Sequence, residues 1–116
     1  FNENYFERVI HHEVFHMIQG SFKHIFDEDI WSKFNNKEFQ YAECSTCSNR
    51  LGLDLYDKTN GFLTEYSKSI ASEDMAEVYS FLVTNKIDIK NKSKKDSILF
   101  NKIKFIESGI NKINNF

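Results

Sequence analysis

Two histidines four residues apart, His12 and His16 in the run Arg8-Val9-Ile10-His11-His12-Glu13-Val14-Phe15-His16-Met17-Ile18-Gln19, constrain this chain more than any other feature. On a helix, side chains at i and i+4 lie one turn above each other on the same face, so both imidazoles can reach one metal ion. Glu13 stands one step round from the first histidine, beside such an ion rather than on it. There its carboxylate can take a proton from a water that the ion activates, which makes it the general-base candidate.

This His-Glu-x-x-His spacing is that of zinc metallopeptidases, and it carries weight only if the segment is helical and a third ligand exists. Tyr5, Phe6, Val9, Ile10, Val14, Phe15, Met17 and Ile18 recur at three- and four-residue intervals, which predicts a helix from about Asn4 to Gln19. Asn2 or Asn4 can cap its start and Gly20 can stop it. The plainer reading makes His12 and His16 ordinary helix-face histidines, so the rest of the chain must decide.

At 116 residues the chain reads as one domain spanning 1–116, and because it begins at Phe1 rather than Met, as an excised piece of a longer protein. With 12 Phe and 5 Tyr, aromatic rings are expected to dominate its core. The net charge of −2 is mixed in sign and offers no large basic patch, so nucleic acid is not an implied partner. No apolar run approaches the ~20 residues that span a bilayer, and no signal-peptide pattern opens the chain. A monomer is expected.

Further along, Asp27 to Phe34 reads as a short helix opened by acids, Asn35-Asn36-Lys37 as a turn, and Phe39-Gln40-Tyr41 as a short extended piece. Cys44-Ser45-Thr46-Cys47 is half of a zinc site, a redox pair or a local disulfide; with no further cysteine, a disulfide is favoured in an exported protein and two thiols otherwise. Leu51 to Tyr56 reads as a short strand or irregular, and Asp57 to Gly61 as a turn. A second helix, about Ser72 to Thr84, carries Met75, Ala76, Val78, Tyr79, Leu82 and Val83, with Ser69 or Ser72 as its cap. Asn85 to Asp96 is polar and lysine-rich and is expected to be mobile; Asn91-Lys92-Ser93 within it matches a glycosylation acceptor, a short match common by chance. A last helix, about Asp96 to Asn114, places its isoleucines mostly on one face as a support.

A catalytic zinc ion takes three protein ligands and keeps one position open. One class of zinc proteases continues its motif on the same segment with a glycine and a third histidine; those positions are Gln19 and Phe22 here, and His24 is off register. The other arrangement draws a glutamate from a second helix. Glu73 and Glu77, four apart, share a helical face, so one can bind the ion while the other hydrogen-bonds the ring N–H of a ligating histidine. That is the two-histidine, one-glutamate site of the gluzincins. Asp74 reads as a helix N-terminal charge pointing about a quarter-turn away.

On these residues the chain resembles metallopeptidases of the anthrax-lethal-factor type and a related group of secreted zinc-binding peptidases, which pair the zinc helix with a Glu-x-x-Ala-Glu segment. The resemblance runs from Val9 to about Val83 and implies Glu73 as ligand and Glu77 as the residue behind a ligating histidine. In those families a tyrosine seven residues before the ligand points its hydroxyl at the scissile carbonyl; Tyr66 stands there. They also precede the zinc helix with a sheet whose edge holds substrate, and only about four residues precede it here. The expectation is a mainly α fold, with α+β possible: a minimal zincin-like domain with a metal helix, a glutamate-bearing helix, a C-terminal packing helix and little strand. The expected cofactor is Zn2+ held by His12, His16 and Glu73, with Glu13 and Tyr66 catalytic, a peptide or protein as substrate, and secretion implied by the resemblance alone. The competing readings are a non-catalytic zinc-binding or interaction domain of a larger protein, and a helical binding module whose motif matches are accidental.

Overall fold

A computed structural model of the chain describes residues 3–44, 46–47, 52 and 59–115. Among these residues the regular structure is five α-helices and one 3-10 turn: α1 (Glu3–Ser21), α2 (Glu28–Ser32), the 3-10 turn Tyr66–Lys68, α3 (Ala71–Thr84), α4 (Lys86–Ser93) and α5 (Ser97–Asn114). No strand occurs among the described residues, so the mainly α expectation holds. The suggested strand at Leu51 to Tyr56 lies outside them except for Gly52. Phe39 to Tyr41 joins no ladder; Phe39 N–H donates back to the Asn36 carbonyl at 3.0 Å, and the following residue, Ala42, donates its N–H to the Ser69 carbonyl at 2.7 Å.

α3 is the helix the others pack around, because it is apolar on most of its circumference: Ala71, Met75, Ala76, Val78, Phe81 and Leu82 are all buried. α1, the 3-10 turn, α2, α4 and α5 each contact it. Phe15 of α1, Phe26, Trp31 of α2, Leu63, Ile89 of α4, and Leu99, Ile103 and Ile106 of α5 complete the core. Side chains this fully buried contribute roughly 1.5–3 kcal/mol each. Phe15 stacks edge-on to Phe26, and Trp31 and Phe34 both meet Phe105, so the expected aromatic core is present.

Several sequence expectations are corrected. The apolar periodicity of α1 marks a helix, but Phe6, Val9, Ile10, Val14 and Met17 are exposed; its buried face is Arg8, His12, Phe15 and Gln19. The polar residues face inward because they have partners on α3. Asn4 lies within α1 rather than capping it. α3 is capped by neither Ser69 nor Ser72; Ile70 occupies the cap in an extended conformation, without a side-chain bond. Asn85 to Asp96, expected to be mobile, forms α4. Asn85 breaks α3, Asp88 and Lys90 with Lys92 suit the two ends of the helix dipole, Ile89 plugs into the core, and Lys90 pairs with Glu107 of α5 at 2.8 Å.

The short helices and loops are fixed by specific caps. Asp27 accepts from Ile30 N–H at 2.9 Å and opens α2 as expected. Asp96 caps α5 through Leu99 N–H and also accepts from Gly61 N–H at 2.7 Å. Gly61 has a φ of 90°, and a side chain there would run into Ile98, so this turn requires glycine on both counts. Cys44 and Cys47 are joined by a disulfide, their Cα atoms 5.1 Å apart.

Candidate metal centre

The buried face of α1 meets the face of α3 that carries Glu73 and Glu77, because four-residue spacing stacks each pair on its own helix. Three side chains converge from the two helices. His12 Nε2 lies 3.1 Å from His16 Nε2 and 3.1 Å from Glu73 Oε2, and His16 Nε2 lies 2.6 Å from Glu73 Oε1. Behind them, His12 Nδ1 is 2.9 Å from Glu77 Oε2. The paired acids thus occupy distinct places: Glu73 faces both histidines, and Glu77 faces only the far side of one ring.

The site is dry at the back and open at the front. Side-chain exposure rises from 2% at Glu77 and 8% at His12 to 12% at Glu73 and 28% at His16. Glu13 is exposed, and one of its carboxylate oxygens lies within 4.8 Å of the histidine nitrogens. A cleft of about 210 Å³ opens here, lined by Arg8, Val9, His12, Glu13, Tyr66, Glu73 and Glu77. Larger grooves of about 640 and 790 Å³ run along α5, but neither contains a histidine, so size does not mark the chemistry.

Protonation follows from the contacts. Burial by itself would lower the His12 pKa, but hydrogen bonds to Glu73 and Glu77 and their negative charge outweigh it and raise the value to about 9. Burial would raise Glu73, yet hydrogen bonds from His12, His16 and Tyr66 hold its carboxyl well below the usual range. The Tyr66 hydroxyl therefore reaches Glu73, and its ring lies 6.0 Å from that of His12.

Whether a metal suits these residues can be judged from the donors themselves. Glu77, a carboxylate, only accepts, so His12 carries a proton on Nδ1; in the charged ring Nε2–H donates to Glu73, and a metal ion would take the place of that Nε2 proton. Two imidazole nitrogens and a carboxylate thus gather at 2.6–3.1 Å around one point, where a cation could replace the protons they share. Around a zinc ion with bonds of 2.0–2.1 Å, tetrahedral ligands stand ~3.3 Å apart. The observed separations approach that value, and two imidazoles with one carboxylate are a common zinc donor set. The residues fit.

Two helices that turn a pair of histidines and a carboxylate towards one point, with a second carboxylate behind a ring, define a helical domain with a candidate metal centre. Along residues 2–114 the sequence matches the profile of a family described as "Putative zinc-binding metallo-peptidase", and the chain belongs to that family. No curated protein and no solved structure matches it.

Every residue singled out from the sequence, His12, Glu13, His16, Tyr66, Glu73 and Glu77, lies at this one place, while His24 is exposed on the segment after α1. Asp74 does point away from the histidines, but it is no solvated end charge: it is fully buried, bonded to Lys102 of α5, Trp31 and Tyr41. Sequence reasoning missed two residues behind Glu77. Arg8 places its guanidinium 3.6 Å from Glu77 Oε1, and Thr64 donates to the same oxygen at 2.8 Å. Arg8 stands four residues before His12, a spacing that puts it on the same face; no spacing announces Thr64.

Proposed function

We propose that this chain is a zinc-dependent endopeptidase of gluzincin type, in which His12, His16 and Glu73 hold the ion. The convergence of His12 Nε2, His16 Nε2 and the Glu73 carboxylate within 2.6–3.1 Å, beside Glu13, carries the reading. Membership of a family described as zinc-binding metallo-peptidases supports it. Zinc, when bound, supplies the Lewis acidity that makes water a nucleophile near neutral pH.

The remaining work falls to side chains. Glu77 keeps the proton on His12 Nδ1, so that Nε2 offers its lone pair to the centre. Glu13, outside the histidine–carboxylate knot and open to solvent, takes the proton of the attacking water and returns it to the leaving amine. Tyr66, at the wall of the cleft, turns its hydroxyl from Glu73 to the oxyanion as charge develops there. The Cys44–Cys47 disulfide supports an exported protein, as does the likeness to secreted peptidases in the Glu73 to Glu77 segment and Tyr66.

One observation favours the non-catalytic alternative: at about 210 Å³ the cleft falls below the ~300 Å³ of a typical small-molecule site. Cleavage of a peptide library by the protein as purified, after chelation and after zinc is restored, separates the two. The expected result is cleavage that chelation removes and one equivalent of zinc returns. Full zinc occupancy without cleavage would move the domain to the non-catalytic reading.

A further inference from the structure

We propose that Thr64 is a positioning residue of the metal centre, fixing the plane of Glu77, and through it the His12 ring, while closing the turn that carries Tyr66. The inference rests on His12, His16 and Glu73 being the zinc ligands.

A glutamate carboxylate turns easily about its last torsion, so a single bond to His12 would leave Glu77 free to swing. Its second oxygen removes that freedom. Thr64 Oγ1 lies 2.8 Å from Glu77 Oε1, and because the carboxylate can only accept, the threonine hydroxyl proton must point at it. Ser67 Oγ, 2.8 Å from Thr64 Oγ1, therefore has to donate to Thr64, since the one proton of Thr64 is already committed. The direction of the whole chain is thereby set: Ser67 hydroxyl to Thr64 hydroxyl to Glu77, with His12 Nδ1–H donating to the other Glu77 oxygen at 2.9 Å.

Thr64 and Ser67 also cap each other. Ser67 N–H donates to Thr64 Oγ1 at 3.0 Å, and Thr64 N–H to Ser67 Oγ at 3.3 Å, a reciprocal side-chain-to-backbone pair. Glu65, at the cap of the 3-10 turn, and Tyr66, its first residue, are the two residues enclosed between them. One side chain thus joins the orientation of a metal-binding ring to the placement of the hydroxyl in the cleft. Thr64, Ser67 and Glu77 are at most 1% exposed, so no water is at hand to replace a lost bond. Arg8 cannot substitute: at 3.6 Å from Glu77 Oε1, with its guanidinium 4.2 Å over the Phe81 ring, it supplies charge more than direction.

The test measures zinc dissociation constants by chelator competition, and the visible spectrum of the cobalt(II)-loaded protein, for wild type, Thr64→Val, Thr64→Ser and Ser67→Ala. Thr64→Val is expected to weaken zinc by ~10–100-fold and to alter the cobalt bands, which report ligand geometry. Thr64→Ser, which keeps the hydroxyl, is expected to restore both. Thr64→Val with the affinity and spectrum of the wild type would overturn the proposal even if its thermal stability fell, because a merely structural threonine would behave in that way. Should Thr64→Val fail to fold, Ser67→Ala decides: it removes the hydroxyl that holds both Thr64 Oγ1 and Thr64 N–H in place, so the Thr64–Glu77 bond loosens and the spectrum must shift, and an unchanged spectrum overturns the proposal. A wild type that binds neither metal would instead overturn the ligand assignment beneath it.

Discussion

Glu13→Gln is expected to keep the zinc content of the wild type and to lower peptide cleavage by ~10²–10⁴-fold, the range that a general base supplies. The amide preserves shape but cannot accept a proton from water. Glu13 is exposed at the mouth of the cleft, with an oxygen within 4.8 Å of the histidine nitrogens. The Glu73 oxygens are far closer, at 2.6 and 3.1 Å. The complementary variant, Glu73→Ala, removes a donor from between two histidines and is expected to lose the metal and activity together. Elemental analysis with steady-state kinetics on both separates base from ligand: a loss confined to kcat in Glu13→Gln fits the base. Zinc lost from Glu13→Gln and kept by Glu73→Ala would exchange the two roles.

The convergence of these side chains was legible because residues that share a helix face recur at short spacings. His12 and His16 had to share a face, and so had Glu73 and Glu77; only the meeting of the two faces required the fold. What stayed hidden was the burial of polar residues. α1 carries an apolar stripe at helical spacing, yet Phe6, Ile10 and Met17 lie outside while Arg8, His12 and Gln19 lie inside. Periodicity detects the helix; it does not say which side is covered when the polar side has partners waiting. α4 was hidden for the opposite reason. A single buried apolar side chain, Ile89, anchors it, too little to mark a face among lysines. Thr64 and Lys102 were hidden because their partners lie 13 and 28 residues away along the chain, and no local pattern reports such pairs.

Lys102→Met is expected to destabilise the fold by ~3–5 kcal/mol, the cost of leaving one member of a buried ion pair alone. Lys102 and Asp74 are both 0% exposed, 2.7 Å apart, and tie α5 to α3. The ammonium also donates to the Gly61 carbonyl at 2.9 Å and lies 3.8 Å from the Phe62 ring centre, so it holds the turn before Tyr66 as well. Asp74 Oδ2 further accepts from Trp31 Nε1 at 3.0 Å and the Tyr41 hydroxyl at 2.5 Å, whereas among the described residues its Oδ1 finds no partner. Burial pushes the Asp74 carboxyl above its ordinary value of 3.8, and the Lys102 charge is the largest influence opposing that rise. Without the lysine the folded-state pKa climbs further above the unfolded one. A group shifted in that sense adds stability below its unfolded pKa and loses it as pH rises through the folded value. The deficit of Lys102→Met relative to wild type should therefore be smallest near pH ~4 and grow towards neutrality, as urea unfolding at both ends would read. Adding Asp74→Asn, which removes the stranded charge and keeps an acceptor for Trp31 and Tyr41, is expected to recover part of the loss and to flatten its pH dependence. A deficit that is constant with pH would mean that the lysine stabilises by filling space beside Phe62, with its charge immaterial.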